Sequence, residues 1–236
     1  MKLIKISEGK TKEVFKIEER DDLIVLRFKD TITANDGKLR DVMRGKGEIN
    51  RAISSRLFRL LEAYNIKTHY IADYDDQSIL VRRLDMMPVE VVSRLRATGS
   101  IVKRLPIREG EVFDPPLIEF FYKSDEFHDP LINYNHMEHL KIMTRKEAEL
   151  IEEIMKEASN ALRNYMESKG LTLYDFKLEF GRDGKEIIVG DEISLDSMRI
   201  RDSKTGEILD KDLYRKGYPL DVVLNAYKEA MRRIVS

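Results

Sequence analysis

The sequence predicts an α+β fold. Strand-like segments crowd the N-terminal third, and apolar stripes at helical spacing appear around residues 48–64, 144–170 and from Leu220. No internal repeat, low-complexity tract or linker-like segment separates them. That pattern predicts two lobes sharing one interface.

Taken in order, "LIKIS", "EVFKIE" and "LIVLRFKD" read as strands separated by short polar breaks, with "EGKTK" in the first break. Residues 31–47 are polar and hold four glycine or asparagine breakers, which predicts a mobile loop. From Glu48, the residues Ile49, Ile53, Leu57, Leu60, Leu61 and Tyr64 recur at helical spacing. "THYIA", "SILVRRL" and "VEVVSRLRA" are further strands. Residues 106–140 hold four of the six prolines and read as irregular.

Thr144 and Glu147 form a capping box. Ile151, Ile154, Met155, Ala158, Leu162 and Tyr165 then make one apolar stripe, which Gly170 stops. A hairpin follows, in "LTLYDFKLEFGRDGKEIIVGDEISLDSMRIRD", and a C-terminal helix begins at Leu220. Strand side chains alternate faces, so Tyr174, Phe176, Leu178 and Phe180 share one side and Asp175, Lys177 and Glu179 the other. Three charges in a row suit either a solvated face or the wall of a pocket for a charged ligand.

Composition narrows the class. A chain of 236 residues with 42% hydrophobic content can bury a sizeable core. Lys plus Arg (42) nearly balance Asp plus Glu (43), leaving a net charge of −1 and no overall footprint for nucleic acid or an anionic membrane. No apolar run approaches the roughly 20 residues that span a bilayer, and "MKLIKISEGK" is not a signal peptide. The absence of cysteine removes disulfides and thiolate metal sites and makes a cytoplasmic protein the expectation. Charged residues reach 36% with a single Gln, a bias like that of hyperthermophile proteins.

Several stretches carry chemistry. "SEGKTKEVF" places Gly9 beside Lys10 and Lys12, where backbone N–H groups and two ammonium groups suit a phosphate. Alone, such a turn is more often simply solvated. There is no GxxxxGK[ST] loop, and "GKGEIN" lacks the third glycine of a dinucleotide fingerprint. "VRRLDMMPVE" reads as a strand entering a connector, whose Met86, Met87 and Pro88 suit a hinge with an adenine slot, or equally core methionines beside a turn.

Arg94, Arg96 and Ser100, with Arg199 and Arg201, are good phosphate chemistry, although exposed arginines are common. His136 and His139 are spaced for a metal on a helix but lack a third ligand, so surface histidines are the better reading. His128-Asp129 reads as a His–carboxylate pair or a turn. No Cys nucleophile and no GxSxG elbow occur. Glu179 and Asp191 lie on successive strands of the hairpin and offer hard oxygen ligands for Mg²⁺. For both to face one side, the hairpin needs an odd loop pairing Gly181 with Lys185, or a bulge at Gly190. A two-residue turn on Asp183-Gly184 would set Asp191 opposite Phe176.

In this order, "EGKTKEVF", "ITANDG", "GKGEIN", "LDMMPVEVVSRLRATGSIVKR", "FYKSDEFHDPLI", "DFKLEFG" and "GDEISLDSMR" resemble the SAICAR synthetase family over almost the whole chain. The resemblance implies an ATP-grasp-like, two-lobe architecture: an N-terminal β-rich ATP-binding lobe over 1–86 and an α+β lobe over 87–236. It implies an enzyme of purine biosynthesis that joins 5-aminoimidazole-4-carboxyribonucleotide (CAIR) and L-aspartate at the expense of ATP, by way of an acyl phosphate. The expected assembly is a homo-oligomer, with a dimer favoured.

Carried over residue by residue, the resemblance gives Lys10 and Lys12 the ATP phosphates, and Val14, Val81, Arg82, Leu84 and Met86 the adenine and hinge. Glu179 and Asp191 would hold Mg²⁺ next to the ATP. Arg94, Ser100 and Arg199 would bind the CAIR phosphate, and Asp175 and Lys177 would face the substrate as catalytic groups. Lys123, His128 and Asp129 would lie near CAIR or aspartate, and the loop with Asp36 and Gly37 would close over the substrates. A small-molecule kinase and a non-catalytic ATP-sensing module are the alternatives.

Overall fold

A computed structural model describes residues 2–34 and 37–236. The first half of the chain runs β1 (Leu3–Glu8), β2 (Lys12–Ile17), β3 (Arg20–Phe28), β4 (Thr31–Ala34), β5 (Leu39–Val42), α1 (Lys46–Ala63), β6 (Tyr70–Asp75) and β7 (Ser78–Arg82). Strands β1, β2, β3, β7 and β6 form an antiparallel sheet in that spatial order. Helix α1 buries Ile49, Ile53, Leu57, Phe58 and Leu61, the stripe the spacing predicts. It begins two residues early because Gly45, at φ 89°, turns the chain into its first turn.

The 31–47 segment differs from the predicted loop. Strands β4 and β5 pair as a hairpin, with Ile32 and Ala34 buried and all four residues of β5 exposed. Cross-strand hydrogen bonds order a segment whose composition is polar. Asp36 lies outside the described residues.

The second half runs β8 (Asp85–Arg96), α2 (Ile101–Arg104), β9 (Val112–Tyr122), β10 (Leu131–Ile132), α3 (Tyr134–His139), α4 (Arg145–Ser168), β11 (Leu171–Asp183), β12 (Glu186–Gly190), β13 (Met198–Asp202), α5 (Asp212–Arg215) and α6 (Leu220–Val235). Residues 106–140 are therefore not irregular throughout. Eleven of them form β9, which tolerates Pro115 and Pro116 because β10 covers its outer edge only at Phe120 and Phe121. Helix α4 carries the predicted Thr144–Glu147 capping box and ends before Gly170 at φ 68°.

The larger sheet has the order β10-β9-β8-β11-β12, and β13 shares the β12 edge of β11. β13 pairs with Leu171–Phe176, β12 with Glu179–Asp183, and between them the Lys177 N–H donates to the Ser197 carbonyl at 2.8 Å. Residues 191–197 bulge out at this break in the edge, beside the charged face of β11. The two sheets meet where the His69 N–H donates to the Val189 carbonyl at 2.9 Å. Apolar residues of both sheets and of α1, α4 and α6 form one continuous core. No described helix is long and apolar enough to cross a membrane.

Candidate active site

A cleft of about 980 Å³ opens between the turn joining β1 to β2 and the break in the β11 edge. Of the residues singled out from the sequence, Lys10, Lys12, Val14, Gly37, Lys123, Asp129, Lys177, Glu179 and Asp191 line it. Lys177 and Glu179 point into it because they sit two apart on one strand. Lys177 Nζ lies 2.6 Å from Glu179 Oε1, 3.1 Å from Glu90 Oε1 and 3.7 Å from Asp191 Oδ2. Lys123 closes on the other Glu179 oxygen at 2.5 Å. Burial opposes the Lys177 charge, but Glu179, Asp191 and Glu90 outweigh it and hold this lysine well above its ordinary pKa. Burial likewise opposes the Glu179 charge, yet Lys177 and Lys123 keep the carboxyl below the usual range.

Lys12 meets Asp191 at 3.0 Å and Glu192 at 2.5 Å, and these acids overcome its burial and raise its pKa. Lys10, from the same turn, reaches across the mouth to Asp125 at 2.7 Å.

The hairpin does not have the predicted loop. Asp183 pairs with Glu186 around a two-residue turn on Gly184-Lys185, and the β11–β12 ladder has no bulge at Gly190. By that register Asp191 would fall opposite Leu178, on the apolar face. It does not, because the strand ends at Gly190 and Asp191 takes φ 61°, which swings its carboxylate to the charged side. Gly190 has a different task. A Cβ there would lie 3.0 Å from the Met86 thioether sulfur, and one on Gly181 would lie 2.7 Å from Leu84 Cβ.

The other proposed adenine residues lie outside the lining of the cleft. Val81 is buried in β7, Arg82 pairs with Asp183 at 3.3 Å, and Leu84 and Met86 pack on the two glycines.

A second cavity of about 250 Å³ shares Glu90, Lys177, Asp196 and Ser197 with the first. Arg94, Asp175, Arg199 and Arg215 line its far side. They belong to a chain of alternating charges that starts at Arg104. Arg104 meets Glu119 at 2.7 Å, Glu119 meets Arg94 at 2.5 Å, and Arg94 meets Asp175 at 3.0 Å. Asp175 then meets Arg199 at 2.6 Å, Arg199 meets Asp212 at 3.0 Å, and Asp212 meets Arg215 at 2.5 Å.

Two residues expected to meet the substrate are also engaged within the protein. Asp175 is buried, and its Oδ2 accepts from both Arg94 and Arg199, so it serves as their counterion while lining the smaller cavity. Arg94 is 3% exposed and spends its donors on Glu119, Asp175, the Thr98 carbonyl and Ser100 Oγ. In Arg199, Nε bonds Asp212 and Nη1 bonds Asp175, which leaves Nη2 as its nitrogen without a carboxylate partner among the described residues. Its guanidinium lies over Gly99, where a Cβ would be 2.7 Å from Nη2.

Lys123 and Asp129 flank a turn in which Asp129 Oδ1 accepts the Ser124 N–H at 2.8 Å, and His128 and Asp129 take φ 55° and 47°. His136 Nδ1 accepts the Asn133 N–H at 3.1 Å, so helix capping accounts for that histidine. Among the described residues no group of three or more His, Asp or Glu could hold a metal ion.

Sequence reasoning missed Glu90, Glu119, Glu192, Asp196, Lys211, Asp212 and Arg215. Glu192 and Asp196 stand inside "GDEISLDSMR" next to assigned residues, so that motif was the available signal. Lys211, Asp212 and Arg215 lie in a segment with no periodicity.

The family model for SAICAR synthetase matches residues 5–234. The phosphoribosylaminoimidazole-succinocarboxamide synthase of Sulfurisphaera tokodaii is 58% identical over 99% of both chains, and that of Sulfolobus acidocaldarius is 55% identical over 95% of both. A solved structure of a SAICAR synthetase in complex with ADP superposes with a TM-score of 0.91 at 43% identity, covering 99% of this chain and 97% of the other.

Proposed function

From the premise that this chain belongs to the SAICAR synthetase family, ATP-dependent ligases of purine biosynthesis, we propose that its two connected cavities bring ATP and CAIR together at Lys177. The single observation that carries this reading is the shared wall. A lysine- and carboxylate-lined cleft meets an arginine-lined one, and Lys177 belongs to both.

The β-rich sheet over residues 3–82 and the larger sheet over 85–202 support an ATP-grasp-like arrangement of two lobes with the nucleotide between them. Lys10 and Lys12 would hold the ATP phosphates, with the adenine running from Val14 toward the connector after β7. The ADP complex of the structural relative supports a nucleotide there. Arg199 and Arg215 would take the CAIR phosphate, Arg94 and Ser100 would brace them, and Gly37 would cover the cleft from the β4–β5 hairpin.

A carboxylate is a poor acyl donor, so ligation needs activation. One CAIR carboxylate oxygen would attack the γ-phosphorus of ATP and ADP would leave. The aspartate amine would then attack the acyl carbon, phosphate would leave, and the amine would lose a proton. Such transfer needs positioning and charge neutralisation more than a protein nucleophile. Lys177 would neutralise the charge that develops between the cavities.

Glu179 and Asp191 fit Mg²⁺ in donor type, both presenting carboxylate oxygens to the same ammonium group. With only two such groups, phosphate and water oxygens would complete the shell. Bound there, the ion would supply charge neutralisation for the triphosphate.

The test is product formation. ADP and SAICAR should appear together only with ATP, CAIR, L-aspartate and Mg²⁺ all present. ADP release without aspartate would indicate a kinase, and nucleotide binding without turnover a sensor.

A further inference from the structure

Six lysines line the large cleft, and five of them carry a carboxylate within 2.7 Å. Lys10 pairs with Asp125, Lys12 with Glu192, Lys29 with Glu8, and Lys123 and Lys177 with Glu179. Lys211 is the exception. Among the described residues its nearest acid is Asp196 at 3.8 Å, outside hydrogen-bond reach.

Asp196 is also held away from it. Lys46 Nζ, 2.6 Å distant, and Asn50 Nδ2, 3.0 Å distant, meet its Oδ2, while the Tyr227 hydroxyl donates to Oδ1 at 3.1 Å. Lys46 and Tyr227 are themselves buried, so this carboxylate cannot swing to neutralise a further cation. The Lys211 side chain is only 9% exposed, and its burial lowers its pKa while Asp196 pulls the other way. A buried ammonium without a bonded anion is unfavourable unless a ligand supplies one.

Position narrows the class of anion. Asp196, beside Lys211, is one of the four residues common to both cavities. In the reading above, the nucleotide phosphates have Lys10 and Lys12, and the phosphate of CAIR has Arg199 and Arg215. The amino acid brings two carboxylates and must reach the acyl carbon at the junction, and Lys211 is the cleft lysine with no carboxylate of the described residues in hydrogen-bond reach. We propose that Lys211 anchors a carboxylate of the amino-acid substrate where the two cavities meet. The inference rests on the ligase reading. Lys46, Asn50 and Tyr227 act at one remove, by keeping Asp196 turned away and the ammonium available.

The experiment measures KM for each of the three substrates, and inhibition by succinate, in wild type, Lys211→Met and Lys211→Arg. Succinate has the two carboxylates and lacks the amine, so it probes the anchor without the chemistry. Lys211→Met should raise the aspartate KM and the succinate inhibition constant together, by about tenfold or more, as loss of a hydrogen bond to a charged group does. The ATP and CAIR constants should stay within about twofold. Lys211→Arg should recover part of the loss.

Removal of a poorly paired buried charge should not lower the unfolding temperature of Lys211→Met, and Lys211→Arg keeps the question open to test if that variant does not fold. Unchanged aspartate and succinate constants in either variant, or a rise confined to ATP or CAIR, would overturn the assignment. Failure of the wild type to make SAICAR would instead overturn the ligase reading, so the two failures are distinguishable.

Discussion

Lys177 and Glu179 are two residues apart on β11, and their side chains form an ion pair of 2.6 Å that faces the cleft. The pair joins the two sides of the site. Lys177 also belongs to the arginine-lined cavity, and Glu179 to the lysine-lined cleft.

Glu179→Gln or Asp191→Asn should keep the fold but lower Mg²⁺-dependent turnover by roughly a hundredfold or more, the scale for loss of a preorganised charge in an active site. Magnesium titrations of kcat, with circular dichroism as the fold control, check this. Turnover near wild type in both variants would remove these carboxylates from the metal assignment.

Arg199→Ala should mainly weaken CAIR binding and leave ATP affinity close to wild type, since Arg199 lines the smaller cavity and not the large cleft. A hydrogen bond to a charged group contributes about 1.5–3 kcal/mol. Separate titrations with CAIR and ATP decide the matter. Loss of ATP binding with CAIR binding intact would show the assignment reversed.

Arg94→Ala should cost more stability. Both variants leave Asp175 with one cation fewer, but Arg94 and Glu119 are more deeply buried (side chains 4% and 8% exposed) than Arg199 and Asp212 (21% and 13%), and breaking a buried pair costs about 3–5 kcal/mol. Denaturant unfolding should show this variant markedly less stable than Arg199→Ala. Equal stability would mean that Arg94 is not the buried organiser its contacts describe.

Gly99→Ala should raise the CAIR KM without touching the ATP KM. Gly99 has φ 68°, and an added Cβ would lie 2.7 Å from Arg199 Nη2, so the guanidinium must move. Steady-state kinetics with each substrate varied in turn would expose an unchanged CAIR constant.

Stability should fall in mild acid because of His69. Burial lowers its pKa from 6.5 to about 4, and its Nε2 has no hydrogen-bond partner among the described residues. The unfolded chain takes up this proton near pH 6.5, whereas the folded one resists until about 4. The contribution is therefore full above pH 6.5 and is lost as pH falls toward 4, by about 3 kcal/mol in total. His69→Gln should flatten the pH dependence of Tm over that window. An unaltered slope would assign the acid sensitivity to other groups.

The sequence by itself determined the features whose signals are local. The buried stripes of α1 and α4, the Thr144 capping box and the two faces of β11 follow from periods of 3.6 and 2 and from the chemistry of one helix end. The ordered motifs identified the family for the same reason, because each is a short run of adjacent residues.

Only the tertiary structure decided who faces whom. The register of β12 and the φ of Asp191 brought that carboxylate round by a route the loop-parity argument did not contain. Asp175 looked free on its strand, but β8 and β13 set Arg94 and Arg199 on either side of it. Pairing with β8 made a strand of the proline-rich stretch around β9. Lys211 lies 15 residues beyond Asp196 in sequence, and it is poorly paired only because Lys46, Asn50 and Tyr227, from α1 and α6, already occupy that acid. Periodicity is a property of one segment. Charge compensation depends on which segments the core draws together, and no local pattern encodes that choice.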